Sequence, residues 1–157
     1  MSTEKIHFKI GLSGTYWDKK PHFVISVDDR EYVNDYITKE SDKVQYVEFD
    51  CEVEEEQSHV LRIRFDNKEV TDTVTDGGPA ESCEIIKDML LNLVSIEVDD
   101  IELGNLVQMQ SVFKYDEPQH FPSPGTTELP NCVNFGFNGT YELEFTSPFY
   151  LWLLEKI

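Results

Sequence analysis

The feature that most constrains this chain is a period-two alternation of apolar side chains, repeated in short runs with polar turns between them. Ile6, Phe8, Ile10 and Leu12 alternate; so do Phe23, Ile25 and Val27, then Val47, Phe49, Cys51 and Val53, then Leu61, Ile63 and Phe65. Successive side chains of a strand point to opposite faces, so each run predicts a strand with one face buried. Runs of this length and spacing predict a sandwich or barrel. The residue inventory agrees, because Val, Ile, Thr, Phe and Tyr supply 51 of the 157 residues while Ala, the best helix former, occurs once. A chain of this length is expected to form a single domain over residues 1–157.

Between the runs, Asp28-Asp29 reads as the turn of a hairpin, and Glu54 to Ser58 as a solvated turn. The stretch Asp66 to Lys87 is polar, with almost no apolar periodicity, and reads as a long loop. Long loops held by rigid strands often carry function. Residues 79–91 fit either a helix opening at Pro79 or part of a strand, and the strand from about Lys87 to Val98 is preferred. From Asp116 to Pro130 four prolines and a glycine predict an arm-like excursion without a regular ladder. Val133, Phe135 and Phe137 followed by Asn138-Gly139-Thr140 and by Tyr141, Leu143 and Phe145 predict a C-terminal hairpin. A three-residue loop would pair Phe137 with Tyr141 and Phe135 with Leu143. Residues 149–155, after Pro148, are expected to dock as a final strand.

Charge narrows the partners. Thirteen Lys and Arg against 31 Asp and Glu leave a net charge of −18, which argues against direct attraction to nucleic acid or anionic lipid. No apolar run approaches the roughly 18 residues of a membrane span. The opening Met1-Ser2-Thr3-Glu4-Lys5 shows no signal pattern, so synthesis in the cytoplasm is expected. Cys51, Cys83 and Cys132 form no CxxC pair and read as reduced thiols.

The chemistry-bearing candidates are few. HExxH, GxSxG, GxxxxGK[ST] and GxGxxG do not occur, and the expectation is that the chain is not an enzyme. Asp66, Asp72, Asp76 and Asp88 lie in or beside the long loop and could offer carboxylate oxygens to Ca²⁺, which takes six to eight oxygen ligands. Trp17, between Gly14 and Asp18, and its neighbour Tyr16 are the candidate ligand-stacking rings.

Four stretches carry a resemblance: Ile6-His-Phe-Lys-Ile-Gly-Leu-Ser-Gly, Pro21-His-Phe-Val-Ile-Ser-Val-Asp-Asp, His59-Val-Leu-Arg-Ile-Arg-Phe-Asp-Asn and Asp88-Met-Leu-Leu-Asn-Leu-Val-Ser-Ile-Glu-Val-Asp-Asp. Their layout over residues 5–103 resembles the small calcium-dependent xylan-binding modules of bacterial carbohydrate-binding proteins, which are jelly rolls. The resemblance implies that Asp66 and Asp88 bracket a metal loop, with Asp72 and Asp76 nearby. The ending, Asn134-Phe-Gly-Phe-Asn-Gly-Thr-Tyr-Glu-Leu-Glu-Phe-Thr-Ser-Pro-Phe-Tyr-Leu-Trp-Leu-Leu-Glu, is similar to that of small uncharacterised proteins of marine tailed phages. That likeness implies a phage-encoded accessory protein, assembled in host cytoplasm and carried on the virion.

The expected fold is therefore an all-β, jelly-roll-like antiparallel sandwich, with residues 5–103 as its module-like core and 104–157 as an extension. The expected function is non-catalytic binding of cell-surface glycan through a calcium-bearing acidic loop. Two alternatives stand beside it. One is a virion structural protein of capsid, tail or fibre with protein partners only, including further copies of itself as a homo-oligomer. The other is an acidic DNA mimic that occupies a host protein.

Overall fold

A computed structural model describes residues 2–77, 84–104, 109–119 and 123–156. It is a jelly-roll-like antiparallel β-sandwich. The first half of the chain supplies β1 (Thr3–Thr15), β2 (His22–Val27), β3 (Arg30–Tyr36), β4 (Gln45–Glu54) and β5 (Ser58–Phe65). After a 3₁₀ turn at Val70–Asp72 come β6 (Val74–Thr75), β7 (Ile85–Lys87), β8 (Leu90–Val98) and β9 (Ile101–Glu102). The chain closes with β10 (Ser111–Gln119), β11 (Thr126–Pro130), β12 (Asn134–Phe135), β13 (Gly139–Thr146) and a helix, α1 (Phe149–Lys156). One sheet runs β12-β8-β1-β4, with β9 against β8, and the other runs β11-β10-β13-β5-β2-β3. The strand pairs are antiparallel, and β6 with β7 makes a separate small ribbon.

The alternation seen in the sequence becomes the interior. Ile6, Phe8, Ile10 and Leu12 of β1 are fully buried, as are Phe23 and Ile25 of β2 and Leu61, Ile63 and Phe65 of β5. Arg62 and Arg64 face outward and make ion pairs with Glu142 and Asp116. Each buried apolar side chain contributes about 1.5–3 kcal/mol by leaving water, so β1 and β5 alone supply a large share of the driving force. Rings join the sheets across the core: Phe8 meets Phe145 at 6.1 Å, and Phe113 stacks on Phe135 at 4.5 Å. Cys51 is buried and Cys132 half-buried, both as free thiols, and burial pushes the Cys51 thiol up to about 12. Cys83 lies outside the described residues.

Three expectations for the C-terminal half need correction. The predicted hairpin across Asn138-Gly139-Thr140 does not form: β12 pairs with β8 in one sheet, whereas β13 pairs with β5 and β10 in the other. Neither expected pair, Phe137 with Tyr141 or Phe135 with Leu143, forms a ladder; instead Phe135 meets Tyr141 across the core at 5.7 Å. The Pro-rich stretch is no arm, because β10 and β11 form an edge hairpin. Its ladder runs from Val112↔Pro130 to Lys114↔Glu128 and breaks before Gln119↔Thr126. Pro118 lies in that break, where no ladder N–H is required. Finally, residues 149–156 form a helix instead of a strand, burying Phe149 and Trp152 against Phe145. Glu4 of β1 accepts the Phe149 N–H at 2.9 Å and the Ser147 hydroxyl at 2.7 Å, placing a carboxylate at the helix N-terminus.

Candidate functional site

The long stretch after β5 is folded down by specific pairs. Asp72 is buried and receives the Lys19 ammonium at 2.8 Å and the Glu69 amide at 2.7 Å. Burial opposes its charge, yet these partners hold the carboxyl below the usual range. The Trp17 indole N–H donates to the Asp72 carbonyl at 2.9 Å, and the Lys87 ammonium lies 5.0 Å over the Trp17 ring. Trp17 is 43% exposed, but it serves to anchor the 3₁₀ turn. Tyr16 donates its hydroxyl to the Lys39 carbonyl at 2.8 Å and packs against the core. The two candidate rings thus brace loops.

The four aspartates are not gathered around one point. Asp66 Oδ1 sits 2.7 Å from His22 Nδ1, and Asp72 is bound to Lys19. Asp76 is exposed beside the ribbon, where its amide donates to the Glu84 carbonyl. Asp88 Oδ1 accepts from the Lys68 ammonium at 2.7 Å, the Thr73 hydroxyl at 2.7 Å and the Met89 amide at 2.8 Å. Among the described residues, no group of three or more His, Cys, Asp or Glu side chains is placed to hold a metal ion. This arrangement does not fit a calcium centre built from Asp66, Asp72, Asp76 and Asp88, because three of the carboxylates already face a side-chain nitrogen.

What the fold does assemble is a cleft of about 810 Å³ at one end of the sandwich. Four separate stretches line it: the segment after β5 through Lys68, Val70 and Thr73; Ile85 and Asp88 ahead of β8; Asp116, Glu117 and Gln119 from the far part of β10; and 136–138 between β12 and β13. Asn138 locks two of these stretches together. Its Oδ1 accepts the Lys68 N–H at 2.8 Å, and its Nδ2 donates to the Lys68 carbonyl at 2.9 Å. Asp116 is fixed by both terminal nitrogens of Arg64, at 2.9 and 2.8 Å, which hold its carboxyl below the usual range. Phe137 stands edge-on to Tyr115 at 5.8 Å, under the Lys68 ammonium at 5.5 Å, and remains 46% exposed. Aromatic surface beside fixed donors and acceptors is the composition of a small-ligand site.

Of the six residues singled out from sequence, Asp88 is the one found among the described residues lining this cleft. Phe137, Lys68, Asn138 and Asp116 were missed. Phe137 carried a usable signal: in a chain whose strand phenylalanines are buried or partly buried, a phenylalanine followed by Asn-Gly sits where a strand ends.

No protein-family model matches the sequence, and no curated protein matches it. The fold is similar to a solved structure described as vCBM60 in complex with galactobiose, with a TM-score of 0.54 and 12% identity. The match covers 87% of this chain and 96% of that one. The class defined by this likeness is a β-sandwich with the fold of a carbohydrate-binding module.

Proposed function

We propose that the chain is a non-catalytic glycan-binding module that seats a short neutral saccharide in the cleft around Phe137. The observation that carries this reading is the half-exposed Phe137 ring between the Lys68–Asp88 and Arg64–Asp116 ion pairs, at the loop end of the sandwich. A pyranose has an apolar C–H face and a rim of hydroxyls. The ring accepts the face, and the Lys68, Asp88 and Glu117 side chains accept from or donate to the rim. The carboxylates around the cleft and the net charge of −18 favour neutral sugars over uronates or sulfated chains. One ring and a few hydrogen bonds correspond to a Kd of roughly 10 μM to 1 mM. That the structural neighbour was solved with galactobiose bound supports a saccharide ligand for this fold.

On this reading the module is carried on a tailed-phage virion after assembly in host cytoplasm and holds the particle to a surface glycan; its support is the C-terminal resemblance. A second reading, a protein partner alone, is favoured by one observation. Val70 and Ile85, 93% and 61% exposed, add apolar surface to the rim of the cleft. Isothermal titration with galactobiose, xylan fragments and other neutral oligosaccharides tests the first reading. Wild type is expected to bind at least one of them, and Phe137→Ala to bind it at least about tenfold more weakly with unchanged far-ultraviolet dichroism. Undiminished binding by Phe137→Ala, or no heat with any saccharide, contradicts it.

A further inference from the structure

Lys68 is the most constrained cation of the cleft. Its side chain is 9% exposed, and a buried ammonium is tolerated only when oxygens replace the water it lost. Here they do. Nζ donates to Asp88 Oδ1 at 2.7 Å and to the Gly136 carbonyl at 2.5 Å, with the Phe137 ring 5.5 Å away and the Thr73 hydroxyl on the same Asp88 oxygen. A carboxylate, a backbone carbonyl and a hydroxyl are the ligand types a hard divalent cation prefers. In this chain an ammonium has them instead. The pairing is also tied into the backbone, since Asn138 clamps the Lys68 peptide at both its N–H and its carbonyl. An ammonium has three donors, and two are directed to Asp88 and Gly136.

We propose that Lys68 is the resident cation of the cleft: in place of a divalent ion, its ammonium neutralises the Asp88 carboxylate and donates to the Gly136 carbonyl, and it offers its third N–H to a ligand hydroxyl oxygen. Saccharide binding then needs no calcium. Strict dependence on a divalent ion would be replaced by dependence on one lysine. The ligand contact rests on the glycan reading above; the cation assignment does not.

Two measurements on the full chain keep these apart. In the first, wild type is titrated calorimetrically with calcium chloride alone and melted in millimolar calcium and in EDTA. No saturable heat and equal melting temperatures are expected. Saturable heat with a rise in melting temperature overturns the proposal, and this result is independent of any saccharide. In the second, the saccharide bound by wild type is titrated in calcium and in EDTA, and then against Lys68→Met, which keeps the aliphatic stem and removes the charge. Affinities equal within about twofold in the two buffers, and at least about tenfold weaker in Lys68→Met, are expected for a lost charge-assisted hydrogen bond. Loss of binding in EDTA, or unchanged affinity in Lys68→Met, overturns it. If Lys68→Met fails to fold, the two wild-type comparisons decide. Absence of saccharide binding in both buffers defeats the glycan reading and the ligand contact, while the calcium titration still decides the cation.

Discussion

Gly139 shows how a single residue sets the geometry of the cleft. It begins β13 and is paired with Phe65 on one side and Tyr115 on the other, so it lies inside the sheet. A Cβ there would run into the Lys114 carbonyl and the edge of the Phe113 ring, neither of which can retreat without moving β10. The glycine is required by close approach of two strands, and Asn138 beside it is required by the two hydrogen bonds to Lys68. In the sequence the same pair reads as turn chemistry, because Asn-Gly serves both purposes and only the neighbours differ. Gly139→Ala is expected to cost about 1–3 kcal/mol, the usual range for overpacking against a rigid neighbour. Chemical denaturation with an unchanged m-value checks this. A loss below about 0.5 kcal/mol would mean that β10 yields easily.

At the scale of elements, legibility followed one-sided burial. β1, β2, β4, β5 and β8 could be read because each has an apolar face toward the core, and Asp28, with φ of 56°, makes the turn expected between β2 and β3. The run from Val133 to Phe145 could not be assigned the same way. Alternation says that Phe135 and Tyr141 point inward, and both do, but it does not say from which sheet. The C-terminal helix was hidden for a related reason: residues 149–154 are all apolar, so neither period dominates, and the capping carboxylate comes from Glu4 at the other end of the chain. The β2–β3 hairpin carries a titratable clasp. His22 contacts Asp66 Oδ1 and Asn34 Oδ1, each at 2.7 Å, joining β2 to β3 and to the end of β5. Burial works against the charged ring, yet these bonds raise its pKa above the ordinary value of 6.5. A raised folded pKa gives stability that is full below the unfolded value of about 6.5 and is lost as pH climbs through the folded value. Melting temperature should therefore fall as pH rises from about 6 to 8. His22→Gln should flatten the decline without abolishing it, because His7, between Glu48 and Asp50, is shifted the same way. An identical slope in His22→Gln would remove the clasp from the account.

For the molecule as a whole, the organising fact is that the cleft belongs to no single segment. Its linings are drawn from residues near 68–73, 85–88, 116–119 and 136–138, which are remote in sequence and brought together by the crossing of β12 and β13 between sheets. A linear reading could find the acidic loop, since its carboxylates fall within one stretch of the chain. It could not find which cation each carboxylate meets. The outward carboxylates of the edge strand β4 illustrate the same point: Glu48 and Asp50 take up His7, and Asp50 also approaches Lys5, so part of the negative charge is matched locally on β1. A charged edge of this kind also discourages strand addition by another chain. The proposed function places saccharide binding in one cleft, around Phe137. The most direct measurement is backbone amide chemical-shift mapping of isotope-labelled protein during titration with a bound neutral oligosaccharide. Shifts concentrated on residues 68–73, 85–88, 116–119 and 136–138, with β4 and the outer face of β1 unmoved, are the predicted result. Shifts centred on β4 or α1, with Phe137 and its neighbours unperturbed, would contradict it.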